Sequence, residues 1–208
     1  MPETAPRPLV LASTSRHRHA LLARLELPFE ALAPDLDERA EEGRLADLGP
    51  HGLALHLARG KAESLRRARP DAWILAADQL AVLGDPPGPY ELLHKPGSVD
   101  AAARQLLRLA GRTHSLITGV VLLDARTGER RERLDHQRLT MRPFGDAEAR
   151  AYAERHRPLE CAGAYRIEDP GIKLFARIDG GGDFTGIIGL PLLAVAALLR
   201  DVGLLPGP

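Results

Sequence analysis

The sequence predicts a mixed α/β fold, in which a twisted sheet is flanked by helices. Helical segments alternate with strand segments at both ends of the chain, and a strand hairpin is predicted in the middle, over residues 115–141. The run Trp73–Ala77 is apolar without alternation, which is typical of a strand covered on both faces. A chain of 208 residues can build one domain or two closely joined lobes, and no clear linker divides it.

In the first half of the chain, strands and helices are predicted to alternate. Serines at 13 and 15 are good N-cap residues between a short strand and a helix that carries three leucines. The acidic segment Asp35–Glu38 and a polar loop around Gly43 precede a long helix, and Asp78 follows the buried strand at its exit. In order, the predicted elements are a strand at 9–12, a helix after the cap residues 13–15, a strand at 28–32, a helix at 53–69 and a strand at 73–77.

The second half of the chain begins with a loop rich in proline and glycine, over residues 84–89. The hairpin turns at Arg126–Gly128, and the last helix begins near Pro191, because proline is favoured in a first helical turn. The other predicted elements are helices at 98–109 and 146–155, strands at 115–123, 133–141, 164–167 and 172–178, and a glycine turn at 180–182.

Composition excludes several classes of protein. Lys+Arg and Asp+Glu both number 28, so the chain lacks the basic excess of a protein that coats nucleic acid. Cys161 is the one cysteine, which rules out an intrachain disulfide and favours a cytoplasmic location. Residues 1–8 do not have the pattern of a signal peptide, so none is expected, and the most apolar stretch, 187–199, is too short to span a membrane. Neither a P-loop nor a dinucleotide-binding glycine motif is present.

Three groups of polar residues are candidates for chemistry, and each has a simpler alternative. Ser13–Ser15 with Arg18 lies where a strand turns into a helix, a position suited to a phosphate, although a serine there can merely cap the helix. Asp78 is either a functional acid at a strand end or a turn residue. The pair Asp37–Glu38 suits Mg²⁺ or Mn²⁺ but also fits a solvated loop.

Lysines and the cysteine form the remaining candidates. Lys61 and Lys95 can each neutralise phosphate, and each can equally be a surface lysine. Cys161 has no obvious partner for nucleophilic chemistry, so it is interpreted as small core filling.

The order and spacing of these segments resemble those of the Maf-like nucleoside triphosphate pyrophosphatases. The similarity runs from about residue 9 to 203, so the whole of 1–208 is expected to form one such domain. The matching segments are Leu11–Ser15 with Arg18, Asp37–Glu38, Leu57–Ala58, Lys61–Ala62, Ala77–Gln79, Lys95–Pro96, Thr118–Gly119, Ala162–Tyr165 with Glu168, and Gly189–Leu192.

Within the family, the chain is most similar to the 7-methyl-GTP pyrophosphatase branch. Gln79 stands where the dTTP/UTP branch usually has threonine, and Cys161–Gly163 and Glu168 point the same way. The resemblance places base preference on His17, Gln79 and Glu168. A carboxylate at 168 suits the cationic 7-methylguanine base, which carries N–H donors.

The sequence departs from the family pattern at four places, which bear on loop geometry and base preference. Arg16 replaces a proline, His94 replaces a glycine, the loop over 84–93 is longer, and Thr185–Gly186 replaces a segment that usually contains asparagine.

The resemblance implies a two-lobed fold with a nucleotide-binding cleft and cleavage of the α–β phosphoanhydride. Asp78 would be the catalytic base, Glu38 with Asp78 would bind Mg²⁺ or Mn²⁺, and the triphosphate would be held by Ser13, Ser15, Arg18, Lys61 and Lys95. The expected partner is a small-molecule nucleotide, with no nucleic acid or membrane, and a homodimer stays open. The alternatives are a dTTP/UTP pyrophosphatase of the same family and a nucleotide-sensing regulator of cell division that does not catalyse.

Overall fold

A computed structural model describes residues 7–84 and 89–205 of the chain. In that part of the protein the strands are β1 (Leu9–Ala12), β2 (Phe29–Leu32), β3 (Trp73–Leu83), β4 (Glu91–Leu93), β5 (Thr113–Asp124), β6 (Arg130–Met141) and β7 (Phe175–Gly180). The helices are α1 (Arg16–Ala23), α2 (Glu38–Glu41), α3 (Leu45–Ser64), α4 (Val99–Leu109), α5 (Asp146–His156), α6 (Phe184–Ile188) and α7 (Leu192–Asp201). Short 3₁₀ turns cover Glu42–Arg44 and Pro170–Leu174.

The strands form one mixed sheet, which confirms the predicted fold class. Neighbouring strands follow the order β2-β1-β3-β5-β6-β7, and β4 pairs with β3 off this path. β1 is parallel to both β2 and β3, whereas β4 runs antiparallel to β3 and β7 antiparallel to β6. Parallel pairs joined by helices and antiparallel pairs at the other end are typical of a mixed α/β protein.

The described residues divide into two compact units. Unit 1 comprises 7–79, 118–135 and 183–205, and unit 2 comprises 80–84, 89–117 and 136–182.

The core of unit 1 explains why its strands lack alternation of polar and apolar residues. Side chains of a strand point alternately to opposite faces. Leu75 and Ala77 belong to one apolar cluster, while Ile74 and Ala76 belong to a second one. Leucines of α1, with leucines and a valine of α7, contribute to the first cluster, and alanines of α3 contribute to the second. Both faces of the β3 strand are therefore buried, as the sequence predicted.

Helix α3 approaches β5 so closely that only glycine fits at Gly119. A Cβ atom there would lie 2.6 Å from the backbone carbonyl group of Ala54, closer than real Cβ contacts. This close approach gives the Thr118–Gly119 segment a packing role within unit 1.

Unit 2 is built around helices α4 and α5 and a buried aromatic cluster. The phenol oxygen of Tyr165 lies 2.7 Å from Nε2 of His114, and both rings contact Phe175. Burial lowers the pKa of His114 to about 4, so this imidazole is neutral at pH 7.

Several predicted boundaries were wrong. The long helix spans Leu45–Ser64 rather than 53–69, and the region around Gly43 is helical instead of a polar loop. Gly49 and Pro50 both lie within this helix, where the chain bends at Gly49 (φ 62°) and then resumes its helical course.

The carboxyl-terminal third contains two further corrections. No strand forms at 164–167, because Ala164 adopts a left-handed backbone conformation (φ 60°) and Tyr165 packs into the aromatic cluster. The predicted strand at 172–178 begins only at Phe175, after a 3₁₀ turn. In the loop predicted at 84–89, residues 85–88 lie outside the described part of the chain. Among the described helices, none has the length and apolarity needed to cross a membrane.

Candidate active site

Asp78 lies inside strand β3 and not at its exit, which corrects the sequence prediction. β3 continues to Leu83 and pairs with β4 over Ala81–Leu83. Its parallel pairing with β1 ends at Leu75, however, three residues before Asp78. Asp78 therefore projects past the carboxyl end of the parallel pair, the place where ligands gather in α/β sheets.

The carboxylate of Asp78 forms a buried ion pair with Lys61 of α3. Lys61 Nζ lies 2.5 Å from Asp78 Oδ1, and the two residues are only 4% and 3% exposed. Taking two charges out of water is costly unless they are paired at close range. This pairing explains why β3, which the sequence predicts to end at an acid, continues through it.

Glu38 is a second carboxylate on the same ammonium group. Its Oε1 lies 2.8 Å from Lys61 Nζ, and its side chain is about half exposed (52%). Asp37 has a different role, because its Oδ1 accepts hydrogen bonds from the backbone N–H groups of Arg39 and Ala40 and so caps α2. One buried and one solvent-facing carboxylate thus converge on Lys61.

The segment that carries Glu38 is fixed along α3 by contacts on both sides of it. The backbone N–H of Asp35 donates to Ser64 Oγ at 3.1 Å, and Leu36 packs over Gly60, where a Cβ atom would lie 3.0 Å from the leucine. Beyond Glu38, Oε2 of Glu41 lies 2.6 Å from Nε2 of His56. Glu38 is therefore held by its neighbours as well as by Lys61.

The turn between β1 and α1 has the geometry expected of a helix cap. Ser13 Oγ accepts from the backbone N–H of Ser15 at 3.1 Å, and Ser15 Oγ accepts from that of Arg18 at 3.4 Å. An open pocket of about 320 Å³ lies at this turn, lined by Ser13, Thr14, Ser15, Arg16, His19, Ala31 and Ala33. The capping role is thus present, and a phosphate role stays a prediction.

Arg18 reaches from α1 to the connection between α6 and α7. Its Nε donates to the carbonyl oxygen of Gly189 at 2.9 Å. Burial lowers the pKa of the Arg18 guanidinium, while the negative charges of Asp78 and Glu38 oppose that shift. Arginine keeps its proton under such conditions, so this half-buried residue places positive charge within the field of both carboxylates.

The side-chain amide of Gln79, the residue after Asp78, donates two hydrogen bonds within unit 1. Gln79 Nε2 donates to Thr118 Oγ1 at 3.1 Å and to the carbonyl oxygen of Gly186 at 2.6 Å. His17, the second predicted base-selecting residue of unit 1, is exposed on α1 next to Arg18.

Lys95 and Glu168 belong to unit 2, where both are exposed. Lys95 Nζ lies 3.7 Å from Glu160 Oε2, with 66% of the lysine side chain exposed. Both Lys95 and Glu168 influence the thiol of Cys161, whose pKa is raised chiefly by burial. A raised pKa disfavours the reactive thiolate and supports a packing role for this cysteine.

Hydrogen bonds order the backbone on both sides of Glu168. Tyr152 accepts from the backbone N–H of Arg166 at 3.2 Å, and Arg166 Nε donates to Asp169 Oδ2 at 3.1 Å. Gly163 adopts a positive φ of 88° with the ring of Tyr165 packed against it, where a Cβ atom would be only 2.6 Å away. These contacts give the 162–165 segment a structural role.

Sequence reasoning missed the partners of Gln79. Thr118 is fully buried, and Gly186 is 107 residues from Gln79 along the chain. Thr118 stood within a family segment without an assigned role, and no local pattern indicated Gly186.

The residues of this site lie in a chain whose sequence matches one family over almost its whole length. Residues 8–202 match the family model described as Maf-like protein. The chain belongs to the Maf-like protein family. The resemblance noted in the sequence is thereby confirmed.

Similar proteins with curated names share one description. A protein of Syntrophotalea carbinolica named 7-methyl-GTP pyrophosphatase is 38% identical over 94% of this chain and 94% of its own. Proteins with the same name from Aromatoleum aromaticum and Pseudomonas putida are 40% and 37% identical, over 95% of this chain and 96% and 98% of theirs.

Proposed function

We propose that this Maf-like protein is a nucleoside triphosphate pyrophosphatase that hydrolyses 7-methyl-GTP, or a similarly modified nucleotide, to the monophosphate and pyrophosphate. The function is a house-cleaning one, which removes modified nucleotides, and it takes place in the cytoplasm. The whole chain acts as one catalytic domain. The names of the similar proteins support the substrate, and the site in unit 1 supports the chemistry.

The observation that carries the proposal is the convergence of Asp78 and Glu38 on Lys61. A buried ion pair is a poor way to gain stability, because a well-packed apolar pair of the same size is often as stable or more so. A buried carboxylate beside an exposed one is instead suited to acid–base work on a charged ligand.

In the proposed reaction, Asp78 accepts a proton from the water that attacks the phosphoanhydride between the α- and β-phosphates. Lys61 holds the Asp78 carboxylate at 2.5 Å and so fixes the direction in which it faces. The ammonium of Lys61 has three N–H donors, two of which face Asp78 and Glu38, and the third offsets charge on the departing pyrophosphate.

The remaining cationic and hydroxyl groups bind the triphosphate. Arg18 contributes positive charge close to the two carboxylates, and the turn at Ser13 and Ser15 offers backbone N–H groups at the start of α1. Lys95 is an exposed lysine in unit 2, and we assign it to the same task.

The carboxylates of the site fit a divalent cation. Among the described residues no group of three or more His, Cys, Asp and Glu side chains can hold a metal, so that part of the chain offers at most two such ligands at one place. Mg²⁺ characteristically takes one or two carboxylates and completes its shell with water and phosphate oxygens. Glu38 and Asp78 are such a pair, since both approach one cationic group. When bound, Mg²⁺ or Mn²⁺ would neutralise phosphate charge and lower the pKa of a coordinated water.

The proposal is tested by pyrophosphate release from a panel of triphosphates in the presence of Mg²⁺ or Mn²⁺. We expect kcat/KM to be highest for 7-methyl-GTP, compared with GTP, dTTP and UTP. A higher value for dTTP or UTP would reassign the substrate, and binding of nucleotides without any release of pyrophosphate would reject the enzymatic function.

A further inference from the structure

The side-chain amide of Gln79 uses its nitrogen entirely within the protein. An amide NH₂ group carries two hydrogens and therefore donates two hydrogen bonds. Gln79 Nε2 has two acceptors, the Gly186 carbonyl oxygen at 2.6 Å and Thr118 Oγ1 at 3.1 Å. The carbonyl oxygen Oε1 is thus the atom that remains for a ligand.

The orientation of this amide is determined by its partners. A backbone carbonyl can only accept a hydrogen bond, so the nitrogen of Gln79 must face Gly186. The flipped amide would bring two acceptor oxygens to 2.6 Å from each other. The nearby Gly189 has no side chain, and even a Cβ atom there would stand 3.9 Å from Gln79 Oε1. The oxygen is therefore both correctly assigned and not covered by residue 189.

The Gly186 carbonyl is itself fixed by polar contacts around α6. Asp183 Oδ1 accepts from the backbone N–H and the hydroxyl of Thr185, at 3.0 and 2.5 Å. Asp183 Oδ2 accepts from the backbone N–H of Leu193 at 2.7 Å, and Thr185 Oγ1 from that of Leu192 at 2.8 Å. These bonds join the starts of α6 and α7, so Gly186 offers Gln79 a rigid acceptor.

We infer that Gln79 is locked as a pure hydrogen-bond acceptor toward the nucleobase and that Thr118 is the positioning residue that completes the lock. This inference rests on the proposed function, in which Gln79 faces the base. Its oxygen selects bases that present an N–H group, such as N1–H or the 2-amino group of 7-methylguanine, and disfavours bases with an acceptor or nothing at that place.

The enzymatic test compares 7-methyl-GTP with 7-methyl-ITP, which lacks the 2-amino group, and with the N1-methylated analogue of 7-methyl-GTP. We expect the wild-type protein to prefer 7-methyl-GTP over at least one of them by about tenfold in kcat/KM, a typical factor for one hydrogen bond. In Thr118→Val the amide keeps only its bond to Gly186 and can rotate about it, which displaces the acceptor oxygen, and this preference should fall at least about threefold, mainly through KM. Thr118→Ser, which keeps the hydroxyl, should restore it.

The chain offers a matched control on the same strand. Thr113 also uses its hydroxyl within the fold, 2.8 Å from that of Thr140, and lies in unit 2. Thr113→Val should leave the preference between the analogues unchanged. An equal loss of preference in both valine variants would mean a general effect on β5 and would overturn the inference.

A second test needs no substrate. The sequence contains three glutamines, at 79, 105 and 137, and no asparagine, so only three side-chain amide groups contribute to a ¹⁵N–¹H spectrum. We expect both Gln79 amide protons to exchange slowly with water, compared with those of Gln105, whose bond to His94 lies at an exposed site. Thr118→Val should speed the exchange of one Gln79 proton.

The outcomes of these experiments distinguish a failure of the inference from a failure of the proposed function on which it rests. If no triphosphate yields pyrophosphate, the proposed function fails, whatever the spectrum shows. If pyrophosphate is released but Thr118→Val keeps the wild-type preference, or if both Gln79 protons exchange as fast as those of Gln105, the acceptor lock is wrong.

Discussion

The two units of the protein hold their polar candidate residues in opposite ways. Unit 1 contains a buried and closely paired ion pair, Lys61 with Asp78 at 2.5 Å. In the described part of unit 2 the buried polar groups are uncharged, such as the neutral His114 and the phenol of Tyr165, while Lys95 and Glu168 stay exposed. The contrast indicates that unit 1 holds its charged groups in place before a ligand binds. In unit 2 the charged candidate side chains are exposed and can adapt to a ligand, while the aromatic cluster of that unit is buried.

Paired substitutions of the two lysines test this comparison with the largest expected change in stability. Lys61→Met leaves two carboxylates without their cation, one of them buried, and should lower the free energy of unfolding by about 3–5 kcal/mol. Lys95→Met removes an exposed lysine and should change it by less than about 1 kcal/mol. Urea unfolding of both variants measures the difference, and equal effects would abolish the contrast between the units.

Because His114 is buried and neutral in unit 2, we expect the stability of the protein to depend on pH. With a folded pKa of about 4, His114 binds fewer protons than in the unfolded chain, where its pKa is about 6.5. The free energy of unfolding should therefore decline as pH falls from 6.5 to 4, by up to about 3 kcal/mol from this residue.

Comparing the wild-type protein with His114→Gln isolates the histidine contribution, because the other titrating groups are shared. Thermal or urea unfolding at several pH values should show a flatter profile for the variant. Parallel profiles would mean that the pKa of His114 is the same in the folded and the unfolded protein.

Glu38 is the most exposed member of the unit 1 cluster, and it tests whether the carboxylates serve a metal. Glu38→Gln should raise the Mg²⁺ or Mn²⁺ concentration needed for half-maximal activity at least about tenfold, because loss of a group that only orients a metal ligand already costs about that much in metal affinity. Asp47→Asn, which changes an exposed acid at the start of α3, is the control and should leave the titration unchanged. An unaltered titration in Glu38→Gln would assign the ligand role to other residues.

Substitution of Glu168 tests the role of an exposed charged side chain of unit 2, and it should have the smallest effect on activity. Glu168→Gln removes the charge that complements cationic 7-methylguanine but keeps the size of the side chain. The preference for 7-methyl-GTP over GTP in kcat/KM should fall by about tenfold or less. If the ranking of substrates stays the same, Glu168 does not contact the base.

Local patterns in the sequence predicted most of the fold. The boundaries of β1, α4 and α5 follow from apolar runs, caps and helical spacing, all of which act over a few residues. The errors have non-local causes. β3 passes through Asp78 because Lys61, 17 residues away, neutralises it, and 164–167 is no strand because Tyr165 packs with distant rings.

The same distinction holds for the candidate site. The residue types, and the order of segments shared with the Maf-like family, pointed to Asp78, Glu38 and Lys61. These three side chains lie together in unit 1. What could not be predicted is which atoms they use. Lys61 faces two carboxylates and not solvent, and Gln79 has its amide nitrogen bound to Gly186 and Thr118. Such partners are set by the packing of β3 against α3, β5 and α6.

The central claim is that Asp78 is the catalytic base, and replacing it by asparagine tests this most directly. The substituted amide would keep the size of the side chain and an oxygen for Lys61, but it cannot take a proton from water. We predict that Asp78→Asn lowers kcat for pyrophosphate release at least about a hundredfold, while circular dichroism shows an intact fold. Turnover close to that of the wild-type protein would contradict the account.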